Sequence, residues 1–190
     1  AAFLAEGADV AICARTLSDL EAVKAEFLTV YPTAEILIKA VDVGNRGEVI
    51  AFGEFIKSNW ATVDILVNNA GLFLPGKSSE EAEGTLETMM NINVYSAYYL
   101  SRALIPLMKA QKNGHIFNIC SIASLFAYPS GGSYSITKFA MLGLSKVLRA
   151  ELQTEGIRVT SILPGATWSN SWAGADFPKE RLMKAADVAK

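Results

Sequence analysis

The sequence predicts an α/β fold in which an open sheet of parallel strands is joined by helices, in one domain over residues 1–190. Two observations predict it. Short runs rich in valine and isoleucine alternate with segments whose apolar residues recur at the spacing of a helix. Of the 190 residues, 51% are hydrophobic and 19% are charged, a composition that supports a sizeable buried core. Because helices connect parallel strands, ligands are expected beyond the carboxyl ends of those strands.

Five apolar runs have the length and composition of buried parallel strands. They cover residues 10–13, 36–41, 65–67, 116–120 and 159–163. Ser18 with Glu21, and Asn45 with Glu48, have the spacing of a capping box. These two pairs predict where the helices after the first and second strands begin.

Two longer helices are predicted at about 93–111 and 133–155 from their apolar periodicity. Both ends of the chain also read as helix. Residues 1–6 resemble the last turns of a helix that Gly7 closes in the left-handed conformation, and residues 185–190 are helix-like without a C-cap. We therefore expect this chain to be an internal piece of a longer protein.

Charge and residue counts exclude several classes of function. The chain has 17 basic and 19 acidic residues without a long basic run, so neither nucleic acid nor a membrane surface is an expected partner. No uninterrupted apolar stretch reaches the roughly 18 residues of a membrane span. Cys13 and Cys120 lie in apolar runs and His115 is the single histidine, which leaves no disulfide framework, metal site or serine–histidine triad. A reducing, cytoplasmic location is expected.

The residues that follow the first three strands are of types that bind a dinucleotide. Arg15, with no carboxylate beside it, suits a ribose 2′-phosphate, and a solvated surface arginine is the alternative. Asp42, followed by Val43, can accept a hydrogen bond from an adenine amino group or can cap a helix. The turn Asn68-Asn69-Ala70-Gly71 is small enough to let the backbone approach a cofactor, although it can also be a simple turn.

The strongest chemical signal follows the fourth strand. Ser121 stands at the strand end, Tyr134 comes thirteen residues later, and Lys138 is four residues beyond Tyr134 on the same helix face. A nearby ammonium favours the phenolate and is expected to lower the pKa of Tyr134, while Ser121 can polarise a substrate carbonyl. After the last strand, Pro164-Gly165 predicts a turn that either aims polar groups into the same crevice or is a simple turn.

In this order, from Gly7 to about Ser169, the motifs resemble the short-chain dehydrogenase/reductase family. The resemblance implies a Rossmann-like, doubly wound parallel sheet in three α/β/α layers, within a single dinucleotide-binding domain. It implies Tyr134 as the catalytic acid/base, Lys138 as the residue that holds the nicotinamide ribose, and Ser121 as the residue that orients the substrate. Asn93 matches the asparagine of a water-linked proton relay to the lysine.

The same resemblance implies the cofactor contacts. They are Arg15, Asp42, Val43, Asn69, Ala70, Gly71, Tyr134, Lys138, Pro164, Gly165, Thr167 and Ser169. Thr167 and Ser169 fall where the family contacts the nicotinamide carboxamide. Arg15, without an acid at its strand end, resembles members that use NADP(H), with NAD(H) as the alternative.

The departure from the family lies at the ends of the chain. Members open with a strand and a T-G-x-x-x-G-x-G turn that binds the pyrophosphate, and this glycine pattern occurs nowhere in the sequence. Members also continue into a last helix and strand. We therefore expect the domain to lack its first strand, its Gly-rich loop and its final strand, and to bind dinucleotide poorly as it stands.

The expected activity is NADPH-dependent reduction of a ketone to an alcohol, without a metal. An alcohol or steroid dehydrogenase working oxidatively and a non-catalytic nucleotide-binding scaffold are the alternatives. Both 3-oxoacyl-carrier-protein reductases and sepiapterin-reductase-like members fit the motifs. The residues expected to face the small-molecule carbonyl or alcohol substrate are Phe73, Leu74, Ser124, Leu125, Tyr128, Trp168 and Trp172. The resemblance also implies a homodimer or homotetramer that pairs through the two long helices.

Overall fold

Five parallel strands carry the fold in a computed structural model that describes residues 1–168 and 178–189. In the first sheet, β1 (Val10–Ala14) pairs with β2 (Ile36–Ala40). In the second, β4 (Gly114–Ile119) lies between β3 (Ile65–Asn68) and β5 (Ile157–Ile162). Each predicted strand is confirmed, with ends that differ by one or two residues.

Within the described residues, seven α-helices alternate with and flank these strands. They are α1 (Ala2–Ala5), α2 (Leu17–Val30), α3 (Arg46–Asn59), α4 (Thr85–Met90), α5 (Ser96–Gln111), α6 (Gly132–Leu152) and α7 (Ala185–Val188). A π-helical turn, Asn91–Tyr95, joins α4 to α5, and short 3-10 turns lie at Ile122–Ser124, Gln153–Glu155 and Lys179–Arg181. The predicted closure of the first helix is confirmed, because Gly7 has a φ of 79°.

The two predicted capping boxes have different outcomes. The one at Ser18 is wrong, because α2 begins at Leu17 and its N-cap residue, Thr16, makes no side-chain cap bond. Asn45 does cap α3: its Oδ1 accepts hydrogen bonds from the N–H groups of Gly47 (2.9 Å) and Glu48 (3.3 Å). The Glu48 carboxylate does not complete the box. It accepts instead from the backbone N–H of Asp42 at 2.7 Å and so ties α3 to the end of β2.

The core forms where α3, α5 and α6 meet the second sheet. Its buried members are Val41, Phe52, Ile56, Val63, Leu66, Leu104, Met108, Ile116, Leu148, Leu152, Ile157 and Val159. Helix α2 packs on β1 and β2, α3 packs against α5, and α6 packs on β5. Within residues 1–168 and 178–189, no helix is long and apolar enough to cross a membrane.

A groove of about 900 Å³ runs between the two sheets. Residues 10–13 of β1 and 65–68 of β3 line it, and among the described residues no strand lies between β1 and β3. Ile65 and Val67 are exposed there. The parallel α/β fold is confirmed, whereas the sheet of the described chain is divided into two parts because β1 and β3 do not pair.

Candidate active site

The turn after β4 is held against the turn after β5, and Ser121 lies in it. Cys120 N–H donates to Ile162 O (2.8 Å) and Ile122 N–H donates to Pro164 O (3.1 Å), so Ser121 stands between two fixed residues. Its Oγ accepts from Ala123 N–H at 3.1 Å, and its own N–H donates to Ser124 Oγ at 3.2 Å. Because the Oγ lone pair is used locally, the hydroxyl proton can point out toward a neighbouring oxygen.

Helix α6 brings Tyr134 and Lys138 together, as their spacing predicts. The Lys138 Nζ lies 5.6 Å from the centre of the Tyr134 ring and donates to Ile119 O at 2.9 Å. Lys138 is only 5% exposed, so its ammonium lies inside the site and not in bulk water. Phe73 packs edge-on against the Tyr134 ring, with 4.8 Å between ring centres.

Burial dominates the protonation of this pair. It raises the pKa of Tyr134, and the hydrogen bond from the Ser121 hydroxyl opposes that rise. Burial also lowers the pKa of Lys138, with the nearby Cys120 thiol acting in the opposite sense. The pKa of Tyr134 is thus raised in this structure and not lowered as predicted, because burial of the phenol outweighs the hydrogen bond from Ser121.

Asn93 is buried in the π-helical turn, and its side-chain amide is fully engaged. Its Oδ1 accepts from Leu72 N–H (2.6 Å), and its Nδ2 donates to Leu72 O (2.9 Å) and to Thr137 Oγ1 (2.9 Å). Thr137 in turn donates to Tyr134 O at 2.8 Å. The Asn93 side chain thus ties the chain after β3 to α6, and it has no spare donor for a relay.

The Asn68 side chain faces a different way from the rest of its turn. Its Nδ2 donates to Asn118 Oδ1 (2.8 Å) and Ser101 Oγ (3.1 Å), and Asn118 Nδ2 donates to Ser145 Oγ (2.8 Å). This buried network joins β3, β4, α5 and α6 beneath the site. Sequence reasoning missed Asn118, Ser101 and Ser145, since only the strand register reveals that Asn68 and Asn118 are opposite each other.

The turn after β3 is exposed from Asn69 to Gly71. Gly71 faces Lys138 and Asn93: a Cβ placed on it would lie 3.8 Å from Lys138 Nζ and 3.7 Å from Asn93 Oδ1. The backbone of this turn therefore lies close to Lys138, and Gly71 places no side chain between them. This position fits a residue that lets a ligand approach Lys138 closely.

The residues predicted to contact the adenosine end lie at the ends of β1 and β2. Arg15 is exposed directly after β1. Asp42 is exposed after β2, where its Oδ1 accepts from Gly44 N–H at 2.9 Å, and Val43 is partly buried against the core. The structure thus places Asp42 in a turn of its own, while Asn45 takes the helix-capping role.

Pro164, Gly165 and Thr167 lie in the segment after β5. Thr167 Oγ1 donates to Gly165 O at 3.1 Å, and Thr167 forms an isolated parallel bridge with Met183. Trp168 N–H donates to Met183 O at 2.8 Å, so the chain near residue 183 folds back onto this segment. Ser169 and Trp172 lie outside the described residues.

The residues predicted to face a substrate separate into two groups. Ser124 is buried, and its hydroxyl oxygen accepts a hydrogen bond from Ser121 N–H. Ser124 therefore supports the turn after β4 and does not face a substrate. Leu74, Leu125, Tyr128 and Trp168 are exposed. Burial raises the pKa of Tyr128, and the nearby Tyr134 phenol adds a smaller rise.

The match to a known family spans most of the chain. Residues 1–176 match the family model described as short chain dehydrogenase. A sepiapterin reductase from Chlorobaculum tepidum is 30% identical over 172 residues, which are 90% of this chain and 70% of that enzyme. A 3alpha-hydroxysteroid dehydrogenase from Mediterraneibacter gnavus is 32% identical over 197 aligned residues, covering 98% of this chain and 79% of the relative.

A solved structure agrees with this match. An alcohol dehydrogenase from the archaeon Thermococcus sibiricus, complexed with 5-hydroxy-NADP, superposes with a TM-score of 0.91 at 25% identity, over 99% of this chain and 79% of its own. The shared topology and the closeness of Ser121 and Lys138 to Tyr134 agree with the sequence match. The chain belongs to the short-chain dehydrogenase family of NAD(P)-dependent oxidoreductases.

Proposed function

We propose that this chain carries the catalytic residues of an NADPH-dependent carbonyl reductase that converts a ketone to an alcohol. The observation that carries the proposal is that Tyr134 lies beside Ser121 and has the buried Lys138 Nζ 5.6 Å from its ring centre. A phenol that stays protonated at neutral pH is a proton donor, which is what carbonyl reduction needs.

The residues present fit the nicotinamide end of the cofactor. An ammonium has three N–H donors, and Lys138 uses one of them on Ile119 O, so it can also donate to ribose hydroxyls that approach past Gly71. Pro164, Gly165, Thr167 and Ser169 are proposed to hold the carboxamide side. The adenosine end is assigned to Arg15, Asp42 and Val43, together with the turn of Asn69 and Ala70.

The proposed mechanism uses Ser121, Tyr134 and Lys138 in distinct roles. The Ser121 and Tyr134 hydroxyls donate hydrogen bonds to the carbonyl oxygen and hold it in place. When bound, the reduced nicotinamide supplies a hydride to the carbonyl carbon. Tyr134 Oη gives its proton to the same oxygen, so the alcohol is neutral when it forms. The phenolate that remains is stabilised by the Lys138 ammonium until a proton is returned.

Asn93 is proposed as a catalytic residue in the relay that returns this proton. Both N–H donors of its side-chain amide are used, so we assign its part in the relay to the backbone. Its position in a π-helical turn supports this, because such a turn leaves the normal pattern of carbonyl hydrogen bonds. Thr137 accepts from Asn93 and donates to Tyr134 O, and so fixes the separation of the π-helical turn and α6.

A substrate with an apolar or aromatic body is proposed from the residues near Tyr134. Phe73 packs against the Tyr134 phenol. Leu74, which follows Phe73 in the chain, is exposed, and so are Leu125 and Tyr128, which precede Tyr134. The same residues can run the reaction in the oxidative direction, and the likeness to a hydroxysteroid dehydrogenase favours this as the second candidate. A cytoplasmic setting is part of the proposal, supported by two free cysteines, Cys13 and Cys120.

The cofactor assignment is tested with the complete gene product on a panel of aromatic and aliphatic ketones, by following the absorbance of NADPH or NADH. We expect NADPH to be preferred. Arg15→Glu should lower kcat/KM for NADPH about tenfold and spare NADH, because it replaces a charged donor to the 2′-phosphate with a like charge.

Lys146→Glu is the control, since it makes the same charge change on an exposed residue of α6. Equal use of NADH by the natural protein, or an unchanged preference in Arg15→Glu, would contradict the assignment of Arg15.

A further inference from the structure

The helix that carries Tyr134 and Lys138 has no cap of its own. Its N-cap residue is Gly131, no side chain next to it makes a cap bond, and its first turn contains no acidic residue. The first N–H groups of a helix have no partner inside the helix, and they favour a negative group nearby. In α6 these groups belong to the turn that sets the position of Tyr134.

Glu81 supplies the missing cap from another part of the chain. Ser133 N–H donates to Glu81 Oε1 at 2.9 Å and to Oε2 at 3.3 Å. The Ser133 hydroxyl also donates to Glu81 Oε2. Ser133 is buried and directly precedes Tyr134, so the carboxylate holds the residue next to the catalytic phenol.

Two glycines make room for this carboxylate. A Cβ on Gly132 would collide with Glu81 Oε1 and come within 2.6 Å of Gly76 O, and Gly132 has a φ of 34°. A Cβ on Gly76 would lie 2.8 Å from Glu81 Cγ. Gly76 N–H also donates to Ser130 O at 3.1 Å. The contact is therefore built from both sides and is not a chance approach of a surface side chain.

The same loop also forms the wall beside Tyr134. Residues 72–84 begin at Leu72, which Asn93 holds by two hydrogen bonds, and continue to Phe73 against the Tyr134 ring. Near the other end of the loop, Glu81 accepts a hydrogen bond from Ser133 N–H at the start of α6. The loop is thus fixed to the site at both ends, and Phe73 and Tyr134 are held in one relative position.

We propose that Glu81 is a positioning residue, which sets the place of the Tyr134 hydroxyl by capping α6 from the 72–84 loop. This inference rests on the proposed function, in which Tyr134 is the proton donor. It extends that function, because it assigns part of the catalytic geometry to a carboxylate that does not touch the reacting atoms.

The test compares variants of the complete gene product with a ketone that it reduces. Glu81→Ala is expected to lower kcat about 10- to 100-fold through misplacement of the phenol, with the Kd for NADPH changed by less than about twofold. Glu81→Gln keeps an oxygen acceptor for Ser133 N–H and should recover kcat to within about threefold of the natural protein. Glu80→Ala is the matched control, since Glu80 lies in the same loop and pairs with Lys77 at the surface.

Thermal melting and NADPH-binding stoichiometry separate positioning from a simple loss of fold. A merely structural role lowers the number of folded molecules, while kcat per binding site stays at the natural value. An unchanged kcat per site in Glu81→Ala, or a Gln variant as slow as the Ala variant, would overturn the proposal.

Two further variants keep the test decisive. If Glu81→Ala does not fold, Glu81→Asp retains the charge but withdraws the carboxylate by one methylene, and kcat per site should fall at least about threefold. An unchanged kcat in folded Glu81→Asp would overturn the proposal. Tyr134→Phe is measured in parallel: if it stays active, the proposed function fails, whereas an inactive Tyr134→Phe beside a fully active Glu81→Ala removes the Glu81 inference alone.

Discussion

The Tyr134 phenol is subject to opposing effects on its pKa. Burial raises it, and the hydrogen bond from Ser121 lowers it. In the direction of reduction, the protonated phenol is the active form. Reduction should therefore proceed across neutral pH and decline only as the pH rises through the raised pKa of Tyr134.

Ser121→Ala tests this balance. Because it removes the donor that lowers the pKa of Tyr134, the alkaline decline of kcat/KM for reduction should move to higher pH. For oxidation, which needs the phenolate, the rise in rate should move to higher pH as well. The rate should also fall about 10²-fold, because a donor to the carbonyl oxygen is lost. The measurement is a pH–rate profile in both directions.

Ser78→Ala, at an exposed serine, serves as the control and should leave both profiles unchanged. A midpoint that stays in place in Ser121→Ala, or moves to lower pH, would disagree with the assigned role of Ser121.

Residues that act locally were predictable from the sequence, and residues that act across the fold were not. The proposed roles of Ser121, Tyr134 and Lys138 follow from local patterns, a strand end for the serine and one helix face for the other two. Glu81 and Asn118 were missed, because their partners are 52 and 50 residues away in the chain and no local pattern marks them.

At the scale of elements, the type of each strand and long helix was predictable, and the boundaries were less so. The helix expected over about 93–111 starts at Ser96, after the π-helical turn that buries Asn93. The helix expected over about 133–155 covers Gly132–Leu152 and ends in a 3-10 turn. Periodicity reports the apolar face of a helix but does not show where its hydrogen-bond pattern changes.

The exposed faces of α5 and α6 support the proposed homodimer or homotetramer. Tyr98 lies on α5, while Ile136, Phe139 and Val147 lie on α6, and each is more than a third exposed. Exposed apolar residues clustered on helices are typical of an interface between subunits. We therefore propose that these helices pair with those of a second copy.

Val147→Glu should shift the protein toward the monomer in sedimentation velocity, because it places a charge in the paired apolar surface. Leu17→Glu is the matched control, as it makes the same kind of change at an exposed apolar residue of α2. A natural protein that sediments as a monomer, or an assembly that Val147→Glu leaves intact, would contradict the proposed pairing.

For the whole molecule, the parallel α/β architecture followed from the alternation of strands and helices, and the family followed from motifs at the strand ends. The division of the strands into two sheets required the structure. Strand composition indicates burial, but it does not state which strands pair.

Proton transfer from Tyr134 to the carbonyl oxygen is tested by the turnover of Tyr134→Phe in the complete gene product with NADPH. We expect kcat for ketone reduction to fall by about 10²- to 10⁴-fold, the usual contribution of a general acid. The Kd for NADPH should stay within about threefold, because the ring that packs on Phe73 is kept. A folded Tyr134→Phe variant that reduces the ketone at the natural rate would show that Tyr134 is not the proton donor.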